Sequence, residues 1–321
     1  MFGFGKSRDR LPPQCGSVVV LAGARRAFLV AVVCGMVSVV SGNPAAEGAA
    51  AVTGHPMLGE AYRDSGQGDS LSGQVVQSVP GEQFYHHGPL SDAEQLMLER
   101  VNRARNDPWA AAARFGIGLN DGLAPGTIDG SAKQPLAPSR FLRDAARGHS
   151  DWMLREDVFS HTGEGGSSPS ERIGAAGYPL SGGWTTGENI AWGGSTGPVD
   201  VSAEVLSLHE GLFKSPGHRK NICEDDFNEI GIGISEGSFF SEGRDWNAVM
   251  GTQNYARSGG SPGPFVTGVV YEEKNGNGLY DAGEGVGDIR ITLEGSGFYT
   301  ETSPSGGYAI PVDGSAGARE L

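Results

Sequence analysis

The chain has 321 residues, of which 38% are hydrophobic and 53 are glycine, and its formal net charge is −14. This length is sufficient for one sizeable hydrophobic core and a smaller module. The acidic balance argues against a nucleic-acid partner, because phosphate binding requires a basic surface. The glycine content favours a loop-rich or β-rich protein over a helical bundle.

The N-terminus has the pattern of a secretory signal peptide. Basic residues precede an apolar run from Ala27 to Val40, and small residues that include Ala46 follow it. We therefore predict a signal peptide over residues 1–46 and a secreted, extracellular or cell-surface location. The apolar run is shorter than the roughly 20 residues of a membrane-spanning helix, so we expect no stable membrane span after cleavage. A retained membrane anchor is the alternative.

Cysteine is scarce in this sequence. Beyond the predicted signal peptide only Cys223 is left, which excludes an intrachain disulfide in the exported protein. Three acidic residues follow it, Glu224, Asp225 and Asp226. Their negative charges should raise the pKa of the thiol, so we do not expect a reactive cysteine.

Residues 47–90 are rich in Gly, Ser and Ala and show little periodicity, so they are predicted to be a flexible linker. A domain should begin at Ser91, since Ser91 and Glu94 have the spacing of a helix capping box. The apolar spacing that follows predicts a helix to about Arg105.

Further elements follow in chain order. Helices are predicted over 139–155 and 201–213, with a long loop over 157–198 between them. The alternating residues Ile230, Ile232 and Ile234 predict a strand, and a second strand should end at Tyr255. Helices that flank a few antiparallel strands predict an α+β layer architecture for residues 91–257.

The C-terminal part has a different character. Residues 258–264 are rich in Gly, Ser and Pro and are predicted to be a linker. In residues 265–321, alternation such as Ile289, Ile291 and Leu293 predicts a small all-β sandwich module. The chain ends soon after its last predicted strand, so we expect the module to be truncated.

Three residues stand out as candidates for chemistry: His161, Glu188 and His218. Each lies among small residues in or beside a predicted loop, where its side chain is free to converge on a shared site. Two imidazoles and a carboxylate can hold Zn²⁺ or a similar divalent cation. Their separations of 27 and 30 residues match no metal motif. Scattered loop residues with local hydrogen bonds are therefore the alternative.

Seven short blocks add to this pattern. In chain order they are Leu98–Arg105, Ala145–Ser150, Ser160–Thr162, Gly187–Ala191, Ser215–Arg219, Asn228–Gly233 and Gly251–Tyr255. Together they resemble the bacterial branch of the CAP superfamily, the SCP-like group that includes cysteine-rich secretory, antigen 5 and pathogenesis-related proteins. The resemblance implies an α-β-α sandwich whose central cleft is lined by two His and two Glu and binds a divalent cation in some members.

By motif, the resemblance assigns three cleft positions to His161, Glu188 and His218. The family places the fourth residue, a Glu, on the helix before the second His. This helix offers Glu204, His209 and Glu210, and their spacing does not distinguish them. His209 lies on the apolar stripe of the helix, so it should point inward, either to the cleft or to the core.

The resemblance implies binding more than a common reaction, with lipids, sterols or partner proteins as ligands. We therefore favour a secreted binding protein over an enzyme. One alternative is a metal-dependent secreted hydrolase, in which a cation and Glu188 activate water. No motif arranges a Ser/His/Asp set for nucleophilic catalysis. A structural, adhesin-like surface protein is the second alternative.

Residues 273–284 follow the spacing of a calcium-binding loop, with oxygen ligands at alternate positions and Gly278 at the sharp turn. The predicted Ca²⁺ ligands are Glu273, Asn275, Asn277, Leu279 through its carbonyl, Asp281 and Glu284. Glu instead of Asp at the first position should weaken the affinity. A Gly- and Asn-rich turn without an ion is the alternative.

The residues that flank this loop are predicted to be strands, which excludes an EF-hand pair. The segment from Thr267 to Ile310 resembles an SD-repeat B-type adhesin module. That resemblance implies a small β sandwich with structural calcium. The expected role of the ion is to make the module rigid.

Overall fold

The computed structural model describes residues 29–32, 56–67, 83–293 and 296–312. Its helices are α1 (Asp92–Asn106), α2 (Pro108–Arg114), α3 (Arg140–Arg155), a short 3-10 turn (Glu164–Gly166), α4 (Pro169–Ala175), α5 (Val201–Lys214) and α6 (Pro216–Ile222). The predicted capping box is confirmed, because the Ser91 hydroxyl accepts from the Glu94 N–H and the Glu94 carboxylate accepts from the Ser91 N–H. It fixes the start of α1.

The strands number twelve among the described residues. They are β1 (Leu29–Val32), β2 (Met57–Leu58), β3 (Tyr62–Gly66), β4 (Gln83–Phe84), β5 (Ala137–Pro138), β6 (Trp184–Ser195), β7 (Glu229–Ser241), β8 (Arg244–Ser258), β9 (Phe265–Tyr271), β10 (Arg290–Thr292), β11 (Phe298–Glu301) and β12 (Gly307–Pro311). The main sheet has the order β2-β6-β8-β7-β5, and β3 also pairs with β6.

Two helical layers cover this sheet. On β6 and β8, Ile190 and Met250 pack in one cluster with Met153 of α3, whereas Ala191 and Val249 belong to the cluster that α1 and α5 complete. Side chains alternate between the faces of a strand, so α3 lies on one face and α1 and α5 lie on the other. The predicted α+β class and α-β-α sandwich are confirmed.

Close packing of α3 depends on glycine. A Cβ atom on Gly231 would overlap the backbone of Leu142, and one on Gly233 would overlap the backbone of Ala146. These two β7 glycines therefore allow the α3 backbone to approach the sheet directly. The helix that approaches so closely carries side chains of the candidate site.

One sequence prediction is wrong in the main sheet. Residues 157–198 are not all loop, because β6 is a twelve-residue strand within them. Its residues 186–194 are buried without interruption. A strand covered on both faces shows no alternation of apolar and polar residues, which is the signal that predicts strands.

The predicted linkers are also partly structured. Residues 47–90 contain β2, β3 and β4, and this corrects the prediction of a uniformly flexible segment. Backbone pairing stabilises these strands where side-chain periodicity is absent. In residues 258–264, the Gly259 N–H donates to the Gly183 carbonyl at 3.1 Å, so this linker lies against the sandwich.

The C-terminal strands form two three-stranded sheets, each with one strand from earlier in the chain. The sheet orders are β1-β9-β12 and β10-β11-β4. Val270, Ile291, Tyr308 and Ile310 form their shared core. Three more apolar side chains, of Val269, Tyr271 and Tyr280, belong to the cluster around α1. This region therefore packs against the sandwich.

β1 lies within the predicted signal peptide and pairs antiparallel with β9. The rest of residues 1–46 lies outside the described residues, and the signal peptide stays a prediction. Within the described ranges, no helix is both long enough and apolar enough to span a membrane.

Candidate functional site

The candidate site centres on Glu188, a fully buried carboxylate on β6. One oxygen, Oε1, lies 2.7 Å from His161 Nδ1, and the other, Oε2, accepts from Arg172 Nη2 at 2.7 Å. The Asn254 amide, oriented to satisfy its neighbours, donates to Oε2 at 2.9 Å. His149 Nε2 lies 3.9 Å from Oε1. Both oxygens are therefore committed, and Glu188 orients the groups around it.

Arg172 fixes the loop that carries His161. Its Nη1 donates to the His161 carbonyl at 2.9 Å, while its Nη2 bonds Glu188. The His161 ring is thus held at Nδ1 by the carboxylate, and its Nε2 faces the carbonyl oxygen of Glu60. Only 18% of the His161 side chain is exposed. Both nitrogens of the His161 ring therefore have a partner, one on β6 and one in the segment between β2 and β3.

His218 lies in the first turn of α6. Its Nδ1 lies 2.7 Å from the Ser215 hydroxyl, and its Nε2 is buried with no hydrogen-bond partner among the described residues. Burial, and then the charge of nearby His161, lower the pKa of His218 to about 4, against the raising effect of the Gly59 and Glu60 backbone. The ring is therefore neutral at neutral pH.

The structure brings three predicted site residues to one edge of β6. His161 contacts Glu188 directly, and the charge of His161 acts on His218. Nevertheless, no cluster of three or more His, Cys, Asp or Glu side chains in the described residues has an arrangement suited to a metal ion. Because Glu188 is already engaged and His161 Nε2 meets the Glu60 carbonyl, His218 Nε2 is the site nitrogen without a hydrogen-bond partner in the described residues. His161 Nε2 can bind a ligand only where that carbonyl moves away.

The structure does not place His209 with these groups. Its ring packs against Phe115 and Phe213, with centroid distances of 5.9 Å and 6.3 Å. Burial and the positive charges of Arg100 and Arg114 lower the pKa of His209 to about 3. The prediction that it points inward is confirmed, but it points into the hydrophobic core.

The two other candidates for the fourth position are also separated from Glu188. The carboxylate of Glu204 is buried beside Gly193, and burial raises its pKa. Gly193 and Glu188 are an odd number of residues apart on β6, so Glu204 lies on the opposite face of the sheet. Glu210 is paired with Lys214 at 2.5 Å on the surface.

Two residues outside the predicted set support the site. His149 Nε2 lies 2.9 Å from the Ser160 carbonyl oxygen, which holds the loop that carries His161. The role of Arg172 was missed. The sequence feature that could have indicated this role is the Ser168 capping box. It fixes the start of α4 and therefore the direction of the Arg172 side chain.

A groove of about 660 Å³ lies beside this site, between α3 and α4. His149 and Arg172 line it together with Trp152, several small residues and the acidic residues Asp144, Glu164 and Glu171. The rings of His149 and Trp152 are stacked at 5.6 Å. The groove therefore combines an aromatic wall with the groups that contact Glu188.

The predicted calcium loop is closed by hydrogen bonds within residues 273–284. The Glu273 carboxylate accepts from the N–H groups of Gly276 and Gly278, each at 2.8 Å. The side-chain nitrogens of Asn275 and Asn277 both donate to Asp281 Oδ2 at 2.6 Å. Three of the six predicted ligands thus meet at one point.

Glu284 and the adjoining β-strand pairing hold the two ends of this loop together. The Glu284 carboxylate accepts hydrogen bonds from the Lys274 N–H at 2.9 Å and from the Asp281 N–H at 3.0 Å. The backbone at Gly278 has φ of 71°, which fits the sharp turn predicted there. β9 precedes the loop, and a bridge between Tyr271 and Gly285 closes it, so its flanks are not helices.

Residues 98–255 match the family described as CAP, the cysteine-rich secretory protein family. Two curated relatives come from Bacillus subtilis (strain 168). "Uncharacterized protein YkwD" is 32% identical over 110 residues, which cover 34% of this chain and 38% of the relative. "Uncharacterized membrane protein YlbC" is 31% identical over 91 residues, which cover 28% of this chain and 23% of the relative. The chain thus spans well under two-thirds of either relative.

Two solved structures are also similar. An extracellular protein containing an SCP domain from Bacillus anthracis str. Ames is 25% identical, with 39% of this chain and 35% of that chain covered and a TM-score of 0.28. An outer surface protein from Borrelia burgdorferi is 16% identical, with 37% of this chain and 74% of that chain covered and a TM-score of 0.26.

Proposed function

We propose that this protein, whose residues 98–255 match the CAP (SCP-like) family, is an exported binding protein whose cleft takes its ligand at His161 and His218. The buried Nε2 of His218, unpaired within the described part of the chain, carries the proposal. A buried polar atom without a partner costs about 1–3 kcal/mol. A ligand atom at this position would remove that cost.

A divalent cation such as Zn²⁺ is the first ligand class. Imidazole nitrogens suit Zn²⁺, and a carboxylate that holds the other nitrogen of a ligating His improves its orientation and basicity. Glu188 stands in this relation to His161. A cation would be held by the two imidazoles, with Glu188 behind His161, once the Glu60 carbonyl leaves His161 Nε2. A bound cation would supply positive charge for an anionic or carbonyl group of a further ligand.

An apolar ligand, such as a lipid or sterol, is the second class. The observation that favours it is the groove of about 660 Å³ beside Trp152. Ligand pockets of this size are typically walled by aromatic and small apolar groups with a few polar contacts. If the groove holds a lipid, Trp152→Ala should abolish binding of a fluorescent fatty-acid probe. Phe240→Ala, at an exposed aromatic of β7, serves as the matched control.

The C-terminal module would serve as a calcium-stabilised unit beside the cleft. The convergence of Asn275 and Asn277 on Asp281 supports this role. An amide can present its oxygen where its nitrogen lies with little change of shape, so the three side chains can turn acceptors toward a hard cation. The Arg100–Asp281 pair at 3.4 Å would then link the loop to α1.

Calorimetric titration of metal-free full-length protein with Zn²⁺ tests the cleft. The wild type should bind, whereas His161→Ala and His218→Ala should each weaken binding at least about tenfold, as expected for the loss of one of two ligands. His86→Ala removes an exposed imidazole outside the site and should change nothing. Equal affinity of His218→Ala and the wild type would overturn the proposal.

A further inference from the structure

Residues 56–67 cover the edge of β6 at the cleft. β3 pairs antiparallel with β6 from Tyr62 opposite Glu188 to Gly66 opposite Trp184, and β2 pairs farther along the same edge. The Gly59 N–H donates to the Ile190 carbonyl at 3.2 Å. The segment is thus bound as an added strand, which is a common mode of peptide recognition.

Between β2 and β3 the backbone turns toward the imidazoles. The carbonyl oxygen of Glu60 bonds His161 Nε2, and the Gly59 and Glu60 backbone also acts on His218. Two residues after Glu60, the Tyr62 carbonyl accepts a hydrogen bond from Asn221 Nδ2 at 3.2 Å. The cleft therefore contacts two peptide carbonyls of this segment, two residues apart, and such groups are present in any polypeptide.

One side chain of the segment occupies a polar pocket. Arg63 Nε donates to Asn221 Oδ1 at 2.6 Å, and Arg63 forms an ion pair with Glu224. Its guanidinium lies 5.3 Å from the centre of the Phe227 ring. An amide oxygen, a carboxylate and an aromatic face are a combination that favours arginine over lysine.

A second side-chain contact follows in the next residue. Asp64 Oδ2 accepts from the Ser170 hydroxyl at 2.6 Å, at the start of α4. The Tyr62 ring packs near His161 at a centroid distance of 6.0 Å. Backbone and side chains of the segment are thus both contacted, from Glu60 to Asp64.

We propose that the cleft recognises an extended peptide that carries arginine, and that residues 59–66 are its tethered occupant. This inference deepens the proposed function, on which it rests for the role of His161 and His218. The partner peptide would place a carbonyl at His161 Nε2 and an arginine three residues later. Residues 68–82 connect the occupant to the rest of the chain.

The tether has a measurable consequence. An intramolecular segment competes with a free peptide at a high effective concentration, typically millimolar for short flexible linkers. A free peptide should therefore bind the wild type weakly. It should bind more tightly when the segment is present but unable to compete.

The test uses a fluorescent synthetic peptide with the sequence of residues 59–67 and full-length protein. In the receptor variant, residues 60–64 are all replaced by glycine, which keeps the length of the chain. We expect the peptide to bind this variant at least about tenfold more tightly than the wild type. A peptide with Arg63→Ala should bind about tenfold more weakly than the original peptide, through the loss of charged hydrogen bonds.

A matched pair of receptor substitutions probes the arginine pocket. Glu224→Gln in the glycine variant should weaken binding of the arginine peptide and leave the alanine peptide unaffected. Asp226→Asn, at an exposed carboxylate two residues away, should change neither. Equal affinity for the two peptides, or no binding to a glycine variant that keeps the wild-type unfolding midpoint, would overturn the inference.

Full-length Arg63→Ala replaces the glycine variant if that variant does not fold. Hydrogen exchange at residues 62–66 should accelerate in Arg63→Ala, and the peptide should bind it more tightly than the wild type. Unchanged exchange without peptide binding would refute the inference. Zn²⁺ titration of the same protein separates the two proposals: Zn²⁺ binding without peptide binding removes only the peptide inference, and loss of both removes both.

Discussion

The cleft and the loop 273–284 are built in opposite ways. The cleft joins His161, Glu188 and His218 from three separate parts of the sequence, and each of them is fixed by a polar neighbour. The loop takes its polar side chains from twelve consecutive residues, and most of their hydrogen bonds are to its own backbone and amides. The cleft is therefore preorganised by the fold, whereas an ion bound in the loop would have to reorganise its side chains. Perturbation of the fold should affect the two sites differently.

Glu188→Gln should produce the largest effect, a loss of about 3–5 kcal/mol in the free energy of unfolding. The substitution removes the charge that pairs with Arg172, whose side chain is only 12% exposed, and leaves a buried cation without its partner. Urea unfolding measures the loss. Glu210→Gln, which breaks an exposed pair with Lys214, should cost less than about 1 kcal/mol. Similar costs for both variants would contradict the preorganised cleft.

Calcium should have the next largest effect, confined to the loop. At a free concentration of 100 times its Kd, Ca²⁺ should stabilise the protein by about 2.7 kcal/mol. Thermal unfolding with and without Ca²⁺ should show this shift in the wild type and in Glu236→Gln, at an exposed carboxylate of β7. Asp281→Asn should abolish it. A shift that persists in Asp281→Asn would place the ion elsewhere.

Acid should destabilise the folded protein through His218. The pKa of His218 is about 4 in the folded protein, against 6.5 for the free side chain. Between these values the unfolded chain binds the additional proton, so stability is present above pH 6.5 and is lost as the pH falls toward 4. His218→Gln should reduce this dependence by about 1.4 kcal/mol per pH unit. Parallel stability curves for variant and wild type would show that the ring is not buried as described.

The smallest effect concerns the labelling rate of Cys223, a buried free cysteine to which we assign no role in ligand binding. Burial raises the pKa of this thiol to about 12, and Asp225 adds a lesser contribution. The raised pKa was predicted from the neighbouring acidic residues, but burial is the larger cause. A thiol reagent should therefore label the native protein very slowly and the urea-unfolded protein rapidly. Rapid labelling of native protein would contradict a closed core around α6.

The sequence predicted features that depend on local patterns. The Ser91 capping box, the helix stripes and the turn at Gly278 all involve residues a few positions apart. The family blocks also identified His161, Glu188 and His218. What the sequence could not predict depends on tertiary contacts. β6 lacks the alternation of apolar and polar residues because both its faces are covered. From the sequence His209 and Glu204 are both candidates for the cleft, but in the fold they lie on the opposite face of the sheet.

The role of residues 56–67 was the largest omission. Their composition predicts a linker, and the strands form because the edge of β6 offers backbone partners. Arg63 has no sequence pattern that links it to Asn221 or Glu224, which are more than 150 residues away. Such a contact becomes visible only when the fold brings the segments together.

The most direct test of the cleft is the anomalous scattering of crystals soaked in Zn²⁺. The two pinned imidazoles predict a peak within coordination distance of Nε2 of both His161 and His218, with Glu188 still bonded to Nδ1 of His161 and to Arg172. The account would be contradicted if the cleft showed no anomalous peak, or if the zinc ion were coordinated by Glu188 and not by the two imidazoles.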